Sequence, residues 1–393
     1  MSNLLVISNW YPQLWTNRYN KNFVKEYTDL VKDKFDEVYI ISFQPYFPKF
    51  LCNFKIFEKY YIHSNFSDYS YDNVKVFYLT DFTVPYIFEK KRRLEAQLKN
   101  AQEIIRNNHL KFDIIHSHFL QNWIIWSNLK KLYWNAKVIL HCHDSKLKSM
   151  LESDPEKYAA MFKWIDWCIS FCDNYEVINN FFDEHKIENK NVNIPNFVNV
   201  EKFYPREDIK NLRKKYWFND SDEILICVWN IIYEHKWQND ILSIWKDLET
   251  RIENLHLLLI WNWKDKEKML HTIKDMNAKN IHYLWAKSNE EIVDYLNISD
   301  LFVFPSRYES FWIVQIESIA CWTPVIAYKN WWSEYIIKKE VWKVLDKQNV
   351  ELLKKWILEM INIKYDRKYL HKCIVDNYSW EIVKEKLLNL YFN

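Results

Sequence analysis

The sequence predicts an α/β protein made of two successive doubly wound units that face a central cleft. Three observations carry that expectation. Short β runs alternate with helix-like segments along the whole chain, the pattern of parallel strands joined by crossover helices. The alternation stops in a charged stretch at 201–222 and then restarts. The length, 393 residues, suits two domains rather than one.

Taken in order, apolar, β-branched runs at 4–8, 38–42, 74–79, 113–118, 138–143, 168–171 and 192–195 read as the strands of the first unit. The polar segment 89–107, opening on Lys90-Lys91-Arg92-Arg93, reads as a helix between them. The second unit supplies runs at 224–228, 255–260, 281–284, 301–304, 325–328 and 344–345, then a helical stretch at 350–363 and a final helix near 380–390. The expected division is a first domain at 1–200, a connector at 201–222, a second domain at 223–372 and a C-terminal helix at 373–393. That last helix has no sequence signal for which unit it packs on. In sheets of this kind ligands bind outside the carboxyl ends of the strands.

Bulk properties exclude several classes. A formal net charge of +2 finds no support for a nucleic-acid partner. Seven scattered cysteines, an odd count, argue against a disulfide framework, and Cys168 and Cys172 have no second pair to make a zinc site. The chain opens straight into Leu4-Leu5-Val6-Ile7, without a charged-then-apolar leader, and no apolar run reaches ~18 residues. A cytoplasmic protein is expected.

One property is abnormal. At the usual frequency of about 7%, a chain of this length would hold roughly 27 glycines. It holds none, yet it has 21 tryptophans against 6 methionines. The tryptophans stand where backbone must bend or approach a ligand: Trp229 after an apolar run, Trp237, Trp261 and Trp263 around Asn262, Trp285, Trp322 before Thr323-Pro324, and the pair Trp331-Trp332. An indole there implies strain of roughly 1–3 kcal/mol per site, and many such sites together exceed the stability of a typical fold. A UGA codon that means glycine, translated as tryptophan, accounts for the pattern; deliberate substitution would look the same. Trp380, in a polar helix-opening context, suits a genuine tryptophan, while Trp10 and Trp356 fit either residue. The competing reading is an aromatic module that stacks sugars on tryptophan.

The strongest chemical signal is Pro305-Ser306-Arg307-Tyr308-Glu309-Ser310-Phe311-Trp312-Ile313-Val314-Gln315-Ile316-Glu317. A strand runs into a loop and then a helix, whose free N–H groups and dipole suit a phosphate. With glycine at 312 this block resembles the E-x7-E motif of family-4, group 1 retaining glycosyltransferases of the GT-B fold, two Rossmann-like domains about a cleft. The resemblance implies that Glu309 meets the donor sugar and that Glu317 grips the ribose. Phe311, Trp312, Ile313 and Val314 would form the donor-binding helix start. Read alone, these are two surface carboxylates near a helix start.

A second block, Val228-Trp229-Asn230-Ile231-Ile232-Tyr233-Glu234-His235-Lys236-Trp237, resembles the family's glycine-rich strand end with a basic pair. Lys236 falls on the lysine that holds the donor β-phosphate, where a fixed cation stabilises the leaving diphosphate. Asn230 replaces the usual arginine and can donate a hydrogen bond but no charge. In the first half, Ser8-Asn9-Trp10-Tyr11-Pro12 through Trp15 resembles the loop whose glycine, here Trp15, approaches the donor phosphates. His116-Ser117-His118 and His141-Cys142-His143-Asp144 each end a strand, and the resemblance makes His118 and His143 the residues near the reacting sugar. Ile194-Pro195-Asn196-Phe197-Val198 resembles the interdomain hinge, with Phe197 where glycine is usual. Trp331-Trp332-Ser333-Glu334 resembles a paired-glycine loop before a glutamate. The resemblance covers nearly all of the second half and is patchy over the first.

These parts imply transfer of a sugar from a nucleoside diphosphate to a hydroxyl on a glycan or lipid-linked acceptor, with retained configuration. They also imply no cofactor and no required metal, although two His-x-His pairs by themselves also suit a metal ion. An epimerase or phosphorylase on the same fold is the alternative enzyme. Asp220-Ser221-Asp222 lies before a strand and reads as a turn, not a metal-binding Asp-x-Asp. Segment 47–62, with Lys49, Lys55 and Lys59 among aromatics, and 86–93 suggest peripheral docking on an anionic membrane.

Overall fold

The computed structural model describes residues 2–9, 11–13, 23–55, 57, 61, 65–82, 90–144, 146–228, 238–260, 266–306, 313–329, 342–345 and 349–393. It divides into two compact units, one of Met1–Pro195 with Lys384–Asn393 and one of Asn196–Val383.

In the first unit the elements run β1 (Leu4–Ser8), α1 (Phe23–Val31), β2 (Val38–Tyr46), β3 (Tyr69–Tyr71), β4 (Val74–Phe82), α2 (Lys90–Asn107), β5 (Ile114–His118), α3 (Trp123–Leu132), β6 (Lys137–His141), α4 (Leu147–Ser153), α5 (Pro155–Phe162), β7 (Trp167–Ser170), α6 (Asp173–Glu184) and β8 (Asn191–Asn193). The eight strands form one sheet in the order β3-β4-β2-β1-β5-β6-β7-β8. All pairs are parallel except the short edge pair β3–β4, which the sequence pattern did not announce. Leu5, Ile7, Ile41, Ile115, Val138 and Leu140 share a core with Trp126, Leu129, Phe162 and Phe182 from the helices. Strands buried on both faces need near-continuous apolar runs, which is why they were legible.

In the second unit follow α7 (Ile209–Lys215), β9 (Glu223–Val228), α8 (Gln238–Arg251), β10 (Leu255–Ile260), α9 (Lys266–Asp275), β11 (Ile281–Tyr283), α10 (Asn289–Ile298), β12 (Leu301–Phe304), α11 (Ile313–Ala320), β13 (Val325–Tyr328), β14 (Trp342–Leu345), α12 (Val350–Met360), α13 (Arg367–Tyr378) and α14 (Trp380–Phe392). The sheet is wholly parallel, in the order β11-β10-β9-β12-β13-β14. That order is the doubly wound 3-2-1-4-5-6 arrangement, whose switch point lies between β9 and β12. Both expected phosphate-binding segments follow these two strands.

The structure redraws the expected division at both ends. The first boundary falls inside Ile194-Pro195-Asn196-Phe197-Val198 rather than at 200. Residues 373–393 are not one helix: the chain breaks at Ser379, whose extended backbone (φ −68°, ψ 155°) separates α13 from α14. The residues of α14 from Lys384 onward belong to the first unit. The reason is apolar burial. Tyr391 and Phe392 pack on Phe35, with ring centroids 5.5 Å away in each case. Lys137 Nζ donates to the carbonyls of Leu390 and Tyr391, and Lys384 pairs with Asp33 at 2.9 Å. Connector 201–222 contains α7, anchored by Arg213. Its guanidinium donates to the Ile298 carbonyl and to both carboxylate oxygens of Asp300, at 2.9 and 2.8 Å. Asp300 also accepts from the Ile224 amide at 2.8 Å, so one buried ion pair fixes α7 to the starts of β9 and β12.

Candidate functional site

In the second unit, β12 ends at Phe304 and α11 begins at Ile313, so the helix start follows the switch-point strand. Ile313 and Val314 are half-buried in its first turn, and Glu317 sits in its second, only 2% exposed. The other end of α11 is held by its own backbone, where the Trp322 amide donates to the Ile319 carbonyl and the Thr323 amide to that of Ser318. His371 Nδ1 bonds the Ala320 carbonyl at 2.8 Å. The start of α8, which follows the other switch-point strand, is held by Tyr328 at the end of β13, whose hydroxyl donates to Asp240 Oδ2 at 2.7 Å. Glu309, Phe311, Trp312, Asn230, Lys236 and Trp15 lie outside the described residues, as do Trp229, Trp261, Trp263, Trp331 and Trp332.

In the first unit the parallel register of β5 and β6 sets His118 directly beside His141. Side chains on one strand alternate between faces, so His116, His118 and His141 share a face, and His143 follows two residues on. The four rings form two pairs laid side by side. His116 stacks on His118 at 4.4 Å and His141 lies 3.8 Å from His143. Across the pairs His116 is nearly parallel to His141, and His118 to His143, at 10° and 8°. His118 Nδ1 and His143 Nε2 are 3.1 Å apart, a hydrogen bond. Helix α1 covers the array: the Phe23 ring lies 4.5 Å from His143 and the Tyr27 ring 4.9 Å from His141.

Burial governs the charge state here. Desolvation pushes His116 and His143 down to about 3, with a further lowering of His143 by His116. His118 and His141 are pushed well below the ordinary histidine range, first by burial and then by their imidazole neighbours. At neutral pH the array is uncharged, able to accept or donate hydrogen bonds without carrying a cation. The structure thus brings together His118 and His143, both expected from the sequence. It adds Tyr27 and Tyr391, which nothing in the sequence marked, and His116 and His141, which the sequence marked only as members of the His-x-His pairs. The signal for these two histidines was present, since each His-x-His pair holds its first histidine on the same face as its second.

Comparison with known proteins adds the following. Residues 208–379 match the family described as Glycosyl transferases group 1. The chain is 27% identical over 331 residues to an uncharacterized glycosyltransferase of Methanocaldococcus jannaschii, covering 81% of this chain and 85% of that protein. It is 22% identical over 210 residues to a GDP-mannose-dependent monoacylated alpha-(1-6)-phosphatidylinositol monomannoside mannosyltransferase of Corynebacterium glutamicum, covering 50% of this chain and only 55% of the relative. Among solved structures, sucrose-phosphate synthase from Thermosynechococcus elongatus superposes with a TM-score of 0.71 at 15% identity, covering 100% of this chain and 98% of that one. The fold is GT-B, two Rossmann-like domains.

Proposed function

We propose that this chain, whose second unit carries a glycosyl transferases group 1 domain on a GT-B fold, transfers a hexose or related sugar from a nucleoside diphosphate to a hydroxyl acceptor, with retention. The observation that carries the reading is the placement of Glu317 on α11, directly after the switch-point strand β12, within the matched domain. In this reading the start of α11 receives the donor diphosphate, Glu317 holds the ribose and Glu309 the sugar. Lys236, with Asn230 beside it, neutralises the leaving phosphates, so that no metal or other cofactor is needed. His118 and His143 are uncharged polar groups near the reacting sugar. The incoming hydroxyl attacks the face from which the diphosphate leaves, and a donor phosphate oxygen accepts its proton.

The same reading assigns glycine to most tryptophan positions. Trp217 and Trp322 have φ of 69° and 71°, and Trp285 has 22°. Each of the first two stands one residue past a helix cap. The Trp217 amide bonds to Lys214 and the Phe218 amide to Arg213, and the same pair of bonds recurs at Trp322 and Thr323. This is the Schellman motif, whose left-handed residue is usually glycine because a Cβ there costs about 1–2 kcal/mol. The other left-handed positions among the described residues are Asp72, Asn254, Asn277 and Asn280, of types that tolerate that region, and His109, Phe119, Cys172 and Lys186. Trp126 is fully buried, and its indole N–H has no acceptor among the described residues. By contrast Trp245 is buried and donates to the Lys279 carbonyl at 3.2 Å, an environment that suits an indole. Phe197, in the hinge, is not among the left-handed residues, so glycine is not demanded there.

A lipid-linked acceptor at an anionic cytoplasmic membrane face fits the first unit. Phe50 and Phe54 are 69% and 61% exposed, flanked by exposed Lys49 and Lys55 on the short turn at Lys49–Asn53. Lys59 and 86–89 lie outside the described residues, and no helix of the described chain is long and apolar enough to cross a membrane. Salt-sensitive flotation with anionic vesicles is expected, and its absence would remove the membrane from this reading.

The deciding experiment is donor hydrolysis and transfer across a panel of sugar nucleotides, using protein with glycine restored at the tryptophan positions that this reading assigns to it. Glu309→Gln should chiefly lower turnover. Glu317→Gln should weaken nucleotide binding by about 1–3 kcal/mol, the range for a charged hydrogen bond. A folded protein that binds no sugar nucleotide, or whose two variants match the parent, would overturn the assignment.

A further inference from the structure

The imidazole array contains two histidines, His116 and His141, that the transfer reading leaves idle beside His118. His116, His118 and His141 are all buried, and one ring nitrogen from each lies within 4.8 Å of the others. His116 Nδ1 meets the Tyr391 hydroxyl at 2.7 Å, while its Nε2 is buried without a partner among the described residues. His141 Nδ1 likewise has no partner among the described residues. A buried polar nitrogen with nothing to bond costs on the order of 1–3 kcal/mol, and here two occur on one cluster.

The geometry points to a binding site for one divalent transition-metal ion of the zinc class, held by the imidazoles of His116, His118 and His141. Imidazole nitrogen is the ligand type that suits zinc, copper and nickel. The tautomers fall into place from the second contacts, because a metal-bound histidine ordinarily donates its other N–H to an acceptor. When His116 donates from Nδ1 to Tyr391, its Nε2 lone pair is left for the ion. When His118 donates from Nδ1 to His143 Nε2, its own Nε2 is left in the same way. His141 contributes Nδ1. Zinc–nitrogen bonds are about 2.0–2.1 Å, so tetrahedral ligands stand roughly 3.4 Å apart, and side-chain shifts of about 1 Å close the present spacing. Three neutral ligands leave a fourth position for water or an anion. Such an ion ties β5 to β6 and, through Tyr391, to α14, whose side chains otherwise hold the end of the chain to this unit by packing and by surface contacts. The site shares His118 with the transfer reading but does not depend on it.

The test is calorimetric titration of Zn2+ into the purified 393-residue chain after chelator treatment, with Co2+ absorption reporting nitrogen coordination. One ion per chain should bind, and the melting temperature should rise by several degrees. His116→Gln and His141→Gln should each weaken binding at least about tenfold. Tyr391→Phe, which keeps the packing of α14 and removes only the hydroxyl, should weaken it by roughly 10–100-fold and covers the case where the histidine variants do not fold. His256→Gln, in the second unit, should leave the affinity unchanged. No binding, or binding that His256→Gln abolishes and the three first-unit variants leave intact, would overturn the site.

Discussion

His118, at the end of β5, and His143, two residues past β6, share a 3.1 Å hydrogen bond between Nδ1 and Nε2 with their rings only 8° from parallel. Each fixes the tautomer and direction of the other, so the two act as one unit. In the transfer reading, His118→Gln and His143→Gln should each lower turnover more than they change donor affinity. The double variant should be little worse than either single one, with a coupling of about 0.5–3 kcal/mol. Simple additivity in a double-mutant cycle would show that the bond is incidental.

Arg213 and Asp300 form an ion pair that burial makes consequential. Desolvation raises the Asp300 carboxyl, and the Arg213 guanidinium and the Ile224 amide pull it back down. Asp300→Ala strands a buried guanidinium and should destabilise the second unit by about 3–5 kcal/mol in chemical denaturation. Lys210→Ala, which removes the exposed pair with Asp220, should cost no more than about 1 kcal/mol. Similar effects for the two would refute the importance of burial.

Part of the loss of stability in acid should come from His256 and His282, whose rings are joined at 3.0 Å, beside the more deeply buried first-unit histidines. Burial lowers both below the ordinary histidine range. Asp222 partly offsets this at His256, and His256 adds to it at His282. A histidine lowered in the fold is protonated first in the unfolded chain, near pH 6.5, so unfolding takes up protons as pH falls below that value. The contribution is complete above about pH 6.5 and declines as pH drops towards the lowered folded values. Melting curves between pH 7 and 5 should show the decline, and His282→Gln should make it shallower. An unchanged slope would assign the acid sensitivity elsewhere.

Backbone strain makes the recoding reading measurable residue by residue. With glycine at the other tryptophan positions, Trp322→Gly and Trp217→Gly should each raise stability by about 1–2 kcal/mol, since each relieves a left-handed Cβ. Native peptides spanning 217, 285 and 322 should carry the mass of glycine. Tryptophan in those peptides, with no stability gain on substitution, would defeat the reading.

By itself the sequence determined what neighbouring residues can determine. Buried parallel strands need unbroken apolar runs, so nearly every strand of both sheets was visible, as was the passage from 301–304 into the helix that carries Glu317. The absence of glycine at turns was equally local, and the φ values of Trp217, Trp285 and Trp322 give it a conformational meaning. Tertiary structure decided what depends on distant partners. The β5–β6 register turned two separate His-x-His pairs into a four-ring array. The Tyr391 hydroxyl reaches His116 from 275 positions away. The residues of α14 from Lys384 onward join the first unit by burying Tyr391 against Phe35, an energy spread over residues from opposite ends of the chain. Periodicity records which face of an element is apolar; what comes to cover that face is settled only when the folded chain meets itself.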